Sequence, residues 1–525
     1  MTGATTPWAD GNAVVVDLGF GDAGKGVTVD LLCARRRFGA VVRANGGAQA
    51  AHNVVTPDDR HHTFAQFGAG TLAPGGPVPT HLSRLMVVDP FALAAEAGHL
   101  ASLGVPDPFA LVTVDRRALI STPWHRAANQ TRERARGEAR HGSCGMGVGE
   151  AVAYALARPE DAPTAGDCAR PDVLRRKLRR LADHLHAVRR ALESPVPAGA
   201  APGATDAAAI AGSPPDATGP GIAAKTAPGA TSAGTRFGDT AAGPGAAASG
   251  AATEPGAAPN LPAGTRSEPD PDVEECVEAY LAFARRVRLV DEDHLPRLLA
   301  RSPVVFEGAQ GVLLDEWHGF HPYTTWSTTT TANPLALLAE AGRPGDARRI
   351  GVVRTYTTRH GAGPLVAEDP ELGAVLTEAH NGAHPWQGAF RVGHFDAVAH
   401  RYALAATGGV DALVVTHADA PARAGGRLRW CTGYTAPDGS ALEPVPAPAP
   451  APTRPGAALT GAAMADAAVR LDRQERLARA LLAARPVLAP APDSPAEAVG
   501  EELGLALEAV FSGPTRADAH VPSRA

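Results

Sequence analysis

The sequence contains little lysine, little cysteine and no long apolar run. Lysine occurs only at Lys25, Lys177 and Lys225, although lysine and arginine together number 49. The five cysteines are scattered and form no CxxC pair, a pattern typical of reduced thiols and not of a zinc site or a disulfide framework. No apolar run approaches the ~20 residues of a membrane span, and no basic-then-apolar leader is present. We therefore expect a cytoplasmic protein.

The charge balance and the apolar content narrow the function classes. The net charge is −6, which argues against a general nucleic-acid binder, and we expect neither nucleic-acid nor membrane partners. Hydrophobic residues make up 44% of the 525 residues, enough for a sizeable core. The composition is that of a globular enzyme or binding protein whose partners are small molecules.

Residues 195–270 differ from the rest of the chain. They are Ala, Gly, Pro, Ser and Thr with almost no large apolar side chain, so they cannot bury enough surface to offset their ordering entropy. Apolar residues recur at helical spacing both before this stretch, from Leu174 to Leu192, and after it, from Val277 to Val287. We predict a disordered insert within one discontinuous domain made of residues 1–194 and 271–525.

Short β-rich runs alternate with helical stretches. The predicted strands are residues 13–18, 40–43, 85–88, 111–114, 304–306, 350–353 and 412–416. The pattern predicts an α/β fold with a largely parallel central sheet surrounded by helices. Ligands bind such sheets at the carboxyl ends of the strands, and the polar motifs of this chain follow strands.

The first motif is a glycine-rich turn, residues 19–26, between the first strand and a helix. Such a turn lets backbone N–H groups surround a phosphate, so we expect a P-loop-like phosphate-binding turn here. Residues 19–24 also satisfy GxGxxG, the dinucleotide fingerprint, and Arg43 at the end of the second strand would suit the 2′-phosphate of NADP. Lys25, retained in an arginine-dominated chain, favours the phosphate-transfer interpretation.

Four further motifs are each weak alone. Residues 43–53 place small residues and amides around His52, and residues 306–315 lead into a run of hydroxyl groups at 324–331. Residues 355–364 are rich in threonine and glycine. The last motif ends in Asp419, and an aspartate after a strand can accept both N–H groups of guanine.

Taken in order, the motifs resemble adenylosuccinate synthetase. The series is Gly-Asp-x-Gly-Lys-Gly, Gly-Gly-x-x-x-x-His, Phe-Glu-Gly-Ala-Gln-Gly-x-Leu-Leu-Asp, Tyr-Thr-Thr-Arg-x-Gly-Ala-Gly-Pro, Thr-x-x-Asp and Ser-Gly-Pro-Thr-Arg. It runs from about Val14 to Arg516, apart from the insert. Enzymes of this family use GTP to phosphorylate the 6-oxygen of IMP, and the amine of aspartate then displaces the phosphate.

The resemblance implies a role for each matching residue. Asp22 would remove the N1 proton of IMP and bind Mg²⁺ together with the backbone carbonyl of Ala51, and His52 would be the acid beside the transferring phosphoryl group. Gln310 completes the implied catalytic set. The implied GTP contacts are Gly21, Asp22, Ala23, Gly24, Lys25, Gly26, Val27, Ala51, His52, Asn53, His417, Ala418, Asp419, Ser512 and Gly513. The implied IMP contacts are Asp22, Lys25, Gln49, Ala50, Ala51, His52, Cys144, Arg158, Gln310 and Thr325.

The chain departs from the family pattern on both sides of the implied site. On the nucleotide side stand Ala23 for glutamate, Val27 for lysine, Gln49 for asparagine, Cys144 for threonine and His417 for lysine. The aspartate loop departs further: the family has Thr-Thr-Gly-Arg-x-Arg-Arg-x-Gly-Trp where this chain has residues 385–394, Pro-Trp-Gln-Gly-Ala-Phe-Arg-Val-Gly-His. Gly388 and Phe390 replace arginines, and the identity of the amine is therefore open.

Three functions stay open at this point. The first is a GTP- and Mg²⁺-dependent ligase of the adenylosuccinate type, acting on an IMP-like nucleotide and an amine, and homodimeric because Arg158 matches an arginine that reaches the neighbouring subunit. The second is an NADP-dependent oxidoreductase using residues 19–24. The third is a non-catalytic nucleotide-binding paralogue. The survival of Asp22, Lys25 and His52 argues against the third, and the ordered motif series argues against the second.

Overall fold

The computed structural model describes residues 11–193, 270–378, 380–446 and 461–522. The strands are β1 (Ala13–Asp17), β2 (Ala40–Arg43), β3 (His52–Val55), β4 (His61–Phe64), β5 (Thr80–Leu82), β6 (Val87–Val88), β7 (Val112–Asp115), β8 (Leu119–Ile120), β9 (Arg288–Val290), β10 (Val304–Glu307), β11 (Arg348–Arg354), β12 (Thr357–His360), β13 (Phe390–Gly393), β14 (Phe395–Asp396), β15 (Ala412–Thr416), β16 (Arg429–Thr435), β17 (Arg485–Pro490), β18 (Leu507–Phe511) and β19 (Ala519–His520).

Helices connect most of these strands. They are α1 (Lys25–Arg35), α2 (Pro90–Ser102), α3 (Pro123–Arg136), α4 (Val148–Ala157), α5 (Pro171–Glu193), α6 (Val273–Arg286), α7 (His294–Leu299), α8 (Ala332–Glu340), α9 (Pro370–Val375), α10 (Ala397–Ala406), α11 (Ala420–Arg423), α12 (Gly461–Ala483) and α13 (Pro495–Leu503). Within the described ranges, none of them is both long and apolar enough to cross a membrane.

A ten-stranded sheet forms the centre of the fold, in the order β19-β18-β15-β11-β1-β10-β2-β5-β7-β9. All neighbouring strands in it are parallel except β18 and β19. The α/β fold with a largely parallel sheet, predicted from the alternating pattern, is confirmed. Because the strands are parallel, their carboxyl ends lie along one edge, where the motif residues collect.

Helices cover both faces of this sheet. The side chains of β1 alternate between two cores: Ala13 and Val15 pack with residues of α1, α2, α5 and α6, whereas Val14 and Val16 pack with residues of α8, α10 and α13. Every residue of β1 is buried. A strand buried on both faces needs a continuous apolar run, which is why the sequence there reads Ala-Val-Val-Val.

Most predicted strands appear with their ends shifted by one or two residues, but one prediction was wrong. Residues 85–88 were expected in the central sheet, yet only Val87 and Val88 form a strand, and it pairs with β8 in a separate two-stranded sheet. The central position belongs instead to β5, whose sequence Thr-His-Leu gives little apolar signal. Three residues next to a proline are too few for a periodicity argument to detect.

The predicted insert, residues 195–270, lies outside the described residues except for Asp270. Its flanking helices, α5 and α6, pack together, and Arg175 of α5 contacts Glu274 of α6 at 2.9 Å. Arg189 near the end of α5 contacts Asp270 just before α6 at 2.5 Å. The two points where the chain leaves and re-enters the described structure are therefore neighbours.

Candidate active site

The glycine-rich turn after β1 is organised by the carboxylate of Asp17. Its Oδ1 accepts hydrogen bonds from the backbone N–H groups of Gly19 at 2.8 Å and Gly21 at 3.3 Å. Its Oδ2 accepts from the Ala23 N–H at 2.8 Å and from Nζ of Lys25 at 2.9 Å. Asp17 ends the strand and is buried, so it fixes the path of the turn from inside.

Glycines in this turn allow close approach of neighbouring loops. A Cβ at Gly24, where φ is +100°, would lie 2.8 Å from the Thr416 side chain, and one at Gly26 would lie 2.9 Å from the Asn53 carbonyl oxygen. Gly24 caps α1 without a side-chain hydrogen bond. The first N–H groups of α1 are therefore not satisfied by a capping side chain, as expected where a helix start receives an anion.

His52 is held by the carboxylate of Glu307 at the carboxyl end of β10. The His52 Nδ1 atom lies 2.6 Å from Oε1 of Glu307, whose Oε2 accepts from the N–H of Ala69 at 3.0 Å. The opposite ring atom, Nε2 of His52, is buried and makes no hydrogen bond to a described residue. Burial lowers the pKa of His52, although Glu307 opposes the shift. The imidazole is therefore neutral until negative charge arrives beside it.

Two predicted nucleotide contacts carry buried amide atoms that no described residue satisfies. Both side-chain amide atoms of Gln310 and the Oε1 atom of Gln49 lack partners in the described part of the chain. Gln310 has φ +56°, a strained conformation for a residue with a side chain. Buried polar groups are normally hydrogen-bonded, so these are atoms that a polar ligand can satisfy, and the roles assigned to the two glutamines stay predictions.

Asp22 lies at the tip of the glycine-rich turn with φ +58°. Its Oδ2 contacts Nε2 of His360 at 3.1 Å, and its carbonyl oxygen accepts from Nε of Arg354 at 2.7 Å. Burial raises the pKa of Asp22, but the contact with His360 and the charges of Arg354 and Lys25 outweigh it and lower the pKa. Asp22 is therefore a charged carboxylate, as a general base requires.

A buried ion pair supports Arg354 from the other side. Arg354 donates to both carboxylate oxygens of Glu378, and the hydroxyl of Tyr356 donates to the same carboxylate. Burial raises the pKa of Glu378, but Arg354 holds it well below its usual range. This ion pair fixes the guanidinium that holds the backbone of Asp22.

The residues expected beside guanine also come together. The N–H of Ala418 donates to the carbonyl of Phe511 at 2.9 Å, which brings the end of β15 to Ser512 and Gly513 after β18. Burial lowers the pKa of His417 to about 3, so its ring is neutral. The Asp419 carboxylate is partly exposed and contacts Arg423 at 3.1 Å.

The remaining predicted contacts lie further along the chain. Cys144 is half-buried, Arg158 is exposed beyond the end of α4, and the N–H of Thr325 donates to the carbonyl of Leu314 at 2.8 Å. Cys144 lies in a loop whose neighbour Gly145 packs against Trp386, since a Cβ at Gly145 would come within 2.9 Å of that indole. The roles assigned to these three residues stay predictions.

Comparison with known proteins identifies the family. The adenylosuccinate synthetase family model matches residues 14–202 and 205–454. This chain belongs to the adenylosuccinate synthetase family. The adenylosuccinate synthetase of Nostoc punctiforme is 28% identical over 421 residues, covering 78% of this chain and 74% of that protein. The one of Desulfovibrio desulfuricans is 27% identical over 432 residues, covering 81% of each.

A solved structure agrees with this fold. The adenylosuccinate synthetase of Plasmodium falciparum superposes with a TM-score of 0.67 at 16% identity, covering 98% of this chain and all of that one. The resemblance inferred from the motifs is confirmed, and with it the assignment as a GTP-dependent ligase of purine nucleotide metabolism. The comparisons give no support to an NADP oxidoreductase.

The geometry also counts against the NADP alternative. Arg43 was expected to reach a 2′-phosphate, but its side chain is fully buried and donates to the carbonyl of Phe67 at 3.0 Å. Burial raises the pKa of Glu307, but the charge of Arg43 and the contacts with His52 and the Ala69 N–H lower it, and the net shift is downwards. Arg43 is therefore buried with one nitrogen bonded to the backbone and its charge acting on Glu307, while its Nε and Nη2 atoms have no partner among the described residues.

The oxygen groups at Asp22 fit the Mg²⁺ that the family uses. Mg²⁺ is held in nucleotide sites by one or two carboxylates together with substrate phosphates and water, so a complete cage of protein ligands is not required. Among the described residues no group of three or more His, Cys, Asp or Glu side chains forms such a cage. One carboxylate of lowered pKa beside the glycine-rich turn is a donor set that fits this ion.

Several residues that build the site were not singled out from the sequence. Asp17 carried a signal, because a carboxylate ending an all-apolar strand is costly unless it is bonded. Glu307 stood within a quoted motif but had no assigned role. The contact between His360 and Asp22 joins residues far apart in sequence, as does the pair between Arg354 and Glu378. No local pattern encodes such contacts.

Proposed function

We propose that this ligase uses GTP to phosphorylate the 6-oxygen of an IMP-type purine nucleotide, after which an amine displaces the phosphate at C6. This is the adenylosuccinate synthase type of reaction, in which aspartate is the family's amine. The observation that carries the proposal is that His52 and Gln310, both with unsatisfied buried atoms, lie against the glycine-rich turn tipped by the ionised Asp22. A Cβ at Gly21 would lie 3.8 Å from the Gln310 backbone, and one at Gly26 would lie 3.0 Å from Cβ of His52.

Asp22 is the base in the first step. Its carboxylate takes the proton from N1 of the purine, which turns the neutral 6-oxygen into a nucleophile. The 6-oxygen then forms a bond to the γ-phosphorus of GTP, the bond from that phosphorus to the β–γ bridging oxygen breaks, and GDP leaves with the electron pair. His360 and Arg354 aim this carboxylate from two sides. Asp22 and the carbonyl of Ala51 would also hold Mg²⁺, which supplies positive charge to the GTP phosphates.

His52 is the acid beside the transferring group. The incoming phosphates bring negative charge close to Nε2, which raises the pKa of a ring that is neutral without them. Glu307 then stabilises the imidazolium through Nδ1, in the way that a carboxylate orients a catalytic histidine. Gln310 binds the purine in this proposal, which is supported by its two unsatisfied amide atoms.

The second step exchanges one bond for another. The amine nitrogen forms a bond to C6, the C6–O bond breaks, and phosphate leaves with the electron pair while the amine gives up a proton. His417, Ala418, Asp419, Ser512 and Gly513 are assigned to the GTP base, and a homodimer is expected if Arg158 reaches the partner's nucleotide. Both assignments follow the family pattern.

The proposal is tested by measuring phosphate release from GTP by the purified protein, with and without IMP. Hydroxylamine serves as the amine, because it is small and needs no carboxylate-binding pocket. The expected result is phosphate release that requires GTP, IMP and hydroxylamine together. Phosphate release at the same rate with and without IMP would contradict the proposal.

A further inference from the structure

The amine-binding side of the site differs in chemistry from the nucleotide side. We propose that the amine this enzyme accepts has a neutral, apolar body and is not a dicarboxylate such as aspartate. The inference rests on the proposed function, because it concerns the nucleophile of that reaction. It depends on the arginines near Asp22 being engaged within the protein and on an aromatic ring lying beside the base.

Arg359 is used to build the loop that follows β12. Its guanidinium donates to the carbonyl oxygens of Ala362 at 2.9 Å, Pro364 at 3.2 Å and Tyr323 at 3.0 Å. The side chain is buried, and burial lowers its pKa to about 9. A guanidinium that satisfies three carbonyls cannot turn to a substrate carboxylate without leaving them unpaired, which is costly in a buried site.

Arg391 is the arginine left in the rewritten loop, and it is also engaged. It makes a bidentate pair with Glu368 and donates to the carbonyls of Gly361 at 3.0 Å and Gly363 at 2.8 Å. An additional carboxylate would have to compete with Glu368 for the same two nitrogens.

The other cationic groups nearby have protein partners as well. Arg354 pairs with Glu378 through two hydrogen bonds. His394 contacts Asp369 at 3.4 Å on one ring nitrogen and accepts from the N–H of Arg429 at 3.2 Å on the other. Each of these arrangements ties a positive or polar group to the protein, so a dicarboxylate amine finds no guanidinium held ready for it among these residues.

An aromatic ring stands beside the base instead. Phe390 packs on the imidazole of His360 with ring centroids 4.9 Å apart, and His360 contacts Asp22 at 3.1 Å. Phe390 is only partly buried, so one part of its ring is available to a ligand. The series from Phe390 through His360 to Asp22 places an apolar surface close to where the amine must attack.

The loop before Phe390 is packed in place by backbone contacts. His384 and Gly388 exchange two backbone hydrogen bonds of 2.8 Å, and the carbonyl of Gln387 lies against Gly361. Trp386 packs on Gly145 and under the guanidinium of Arg134, 4.9 Å from its ring centroid. These contacts hold an apolar, glycine-containing loop against the site.

An apolar surface beside arginines that already have protein partners discriminates against a dicarboxylate amine. Stripping a carboxylate of water with no partner costs far more than burying an apolar group gains. Removing one member of a buried charge pair lowers affinity by about 30-fold or more. We expect at least this ratio between the kcat/KM of phenethylamine or butylamine and that of aspartate.

The experiment measures kcat/KM for phenethylamine, butylamine and aspartate with saturating GTP and IMP, alongside hydroxylamine. The expected result is turnover with hydroxylamine and a kcat/KM for the apolar amines at least about 30-fold above that for aspartate. Turnover with hydroxylamine together with a preference for aspartate overturns this inference and leaves the proposed function standing. No turnover with hydroxylamine overturns the proposed function and this inference with it.

Variants of Phe390 test the assigned residue. Phe390→Arg should narrow the ratio between apolar amine and aspartate by about tenfold, since it returns a cation to the loop. Phe390→Leu should keep the wild-type preference for apolar amines. The matched control is Phe91→Arg, because Phe91 is a partly exposed phenylalanine of α2 that packs on Tyr280. If folded Phe390→Arg enzyme has the same kcat/KM ratio of apolar amine to aspartate as the wild type, the assignment of Phe390 to the amine side is overturned. If that variant does not fold, the ratio measured for the wild-type enzyme decides the inference.

Discussion

Nδ1 of His52 lies 2.6 Å from the carboxylate of Glu307, and Nε2 on the other side of the ring has no partner among the described residues. The pair joins the start of β3 to the end of β10, and the charge of Arg43 acts on the Glu307 carboxylate. One ring nitrogen is fixed by the protein and the other is presented to a ligand. Buried nitrogens are normally hydrogen-bonded, so Nε2 is the ring atom that a bound ligand can satisfy.

The first prediction concerns the two assigned acid–base groups. His52→Ala and Asp22→Asn should each lower kcat by about 10²–10⁴-fold, the usual contribution of a positioned acid or base. Activity is measured as GTP- and IMP-dependent phosphate release with hydroxylamine. Asp58→Asn is the matched control, because Asp58 pairs with Arg60 on the surface. Losses below tenfold in both site variants would refute the assignment.

Glu378 should contribute to stability only above acidic pH. Its folded-state pKa is lowered by Arg354, so its contribution is present above the unfolded value of about 4.3 and is lost as the pH falls through the folded value. Removing one partner of a buried pair costs about 3–5 kcal/mol, and Glu378→Gln should lose about this much at pH 7.

The measurement is chemical denaturation of Glu378→Gln and wild type from pH 7 downwards. The gap in unfolding free energy should begin to narrow only below about pH 4. Glu340→Gln serves as the control, since Glu340 pairs with Arg84 and its side chain is half exposed. A gap that is the same at every pH would show that the ion pair does not account for the loss.

Asp419 is predicted to distinguish guanine from adenine. GTP should raise the melting temperature more than ATP, and Asp419→Ala should remove the difference, because at equal concentration the tighter ligand stabilises the folded state more, by RT ln(1 + [L]/Kd). Asp466→Ala is the matched control: Asp466 also pairs with an arginine four residues later, on α12. Equal stabilisation of the wild type by the two nucleotides would refute the prediction.

Deleting residues 198–268 should leave the enzyme folded and active. The segment carries little apolar surface, and the contact between Arg189 and Asp270 shows that its flanks already meet. The melting temperature should stay within about 2 °C, which in a domain of this size corresponds to about 2 kcal/mol of stability. A drop of many degrees would mean that the segment packs on the domain.

The order of the motifs and the pattern of apolar runs were sufficient to predict the family and most of the central strands. The buried strand β1 was predicted because its apolar run is continuous, and the turn after it because glycines crowd there. By contrast β5, with the sequence Thr-His-Leu, was missed, since its burial comes from neighbouring strands and not from its own composition. Hydrophobic periodicity needs several consecutive residues to be recognised, and a strand of three residues in the middle of a sheet is too short to show it.

The site was predictable at single residues and not in its contacts. Asp22, His52 and Gln310 follow from motifs, but the partners that tune them lie elsewhere in the chain. His360 reaches Asp22 across 338 residues of sequence and Glu307 reaches His52 across 255. These pairings depend on strand order in the sheet, which no single segment specifies.

The measurement that tests the central claim most directly follows the 6-oxygen of the purine. IMP labelled with ¹⁸O at that oxygen is incubated with GTP, hydroxylamine and the enzyme, and the released phosphate is analysed by mass spectrometry. Phosphorylation of the 6-oxygen followed by displacement predicts one ¹⁸O atom in each phosphate released. Unlabelled phosphate would contradict the account, because GTP would then be cleaved without activating the purine.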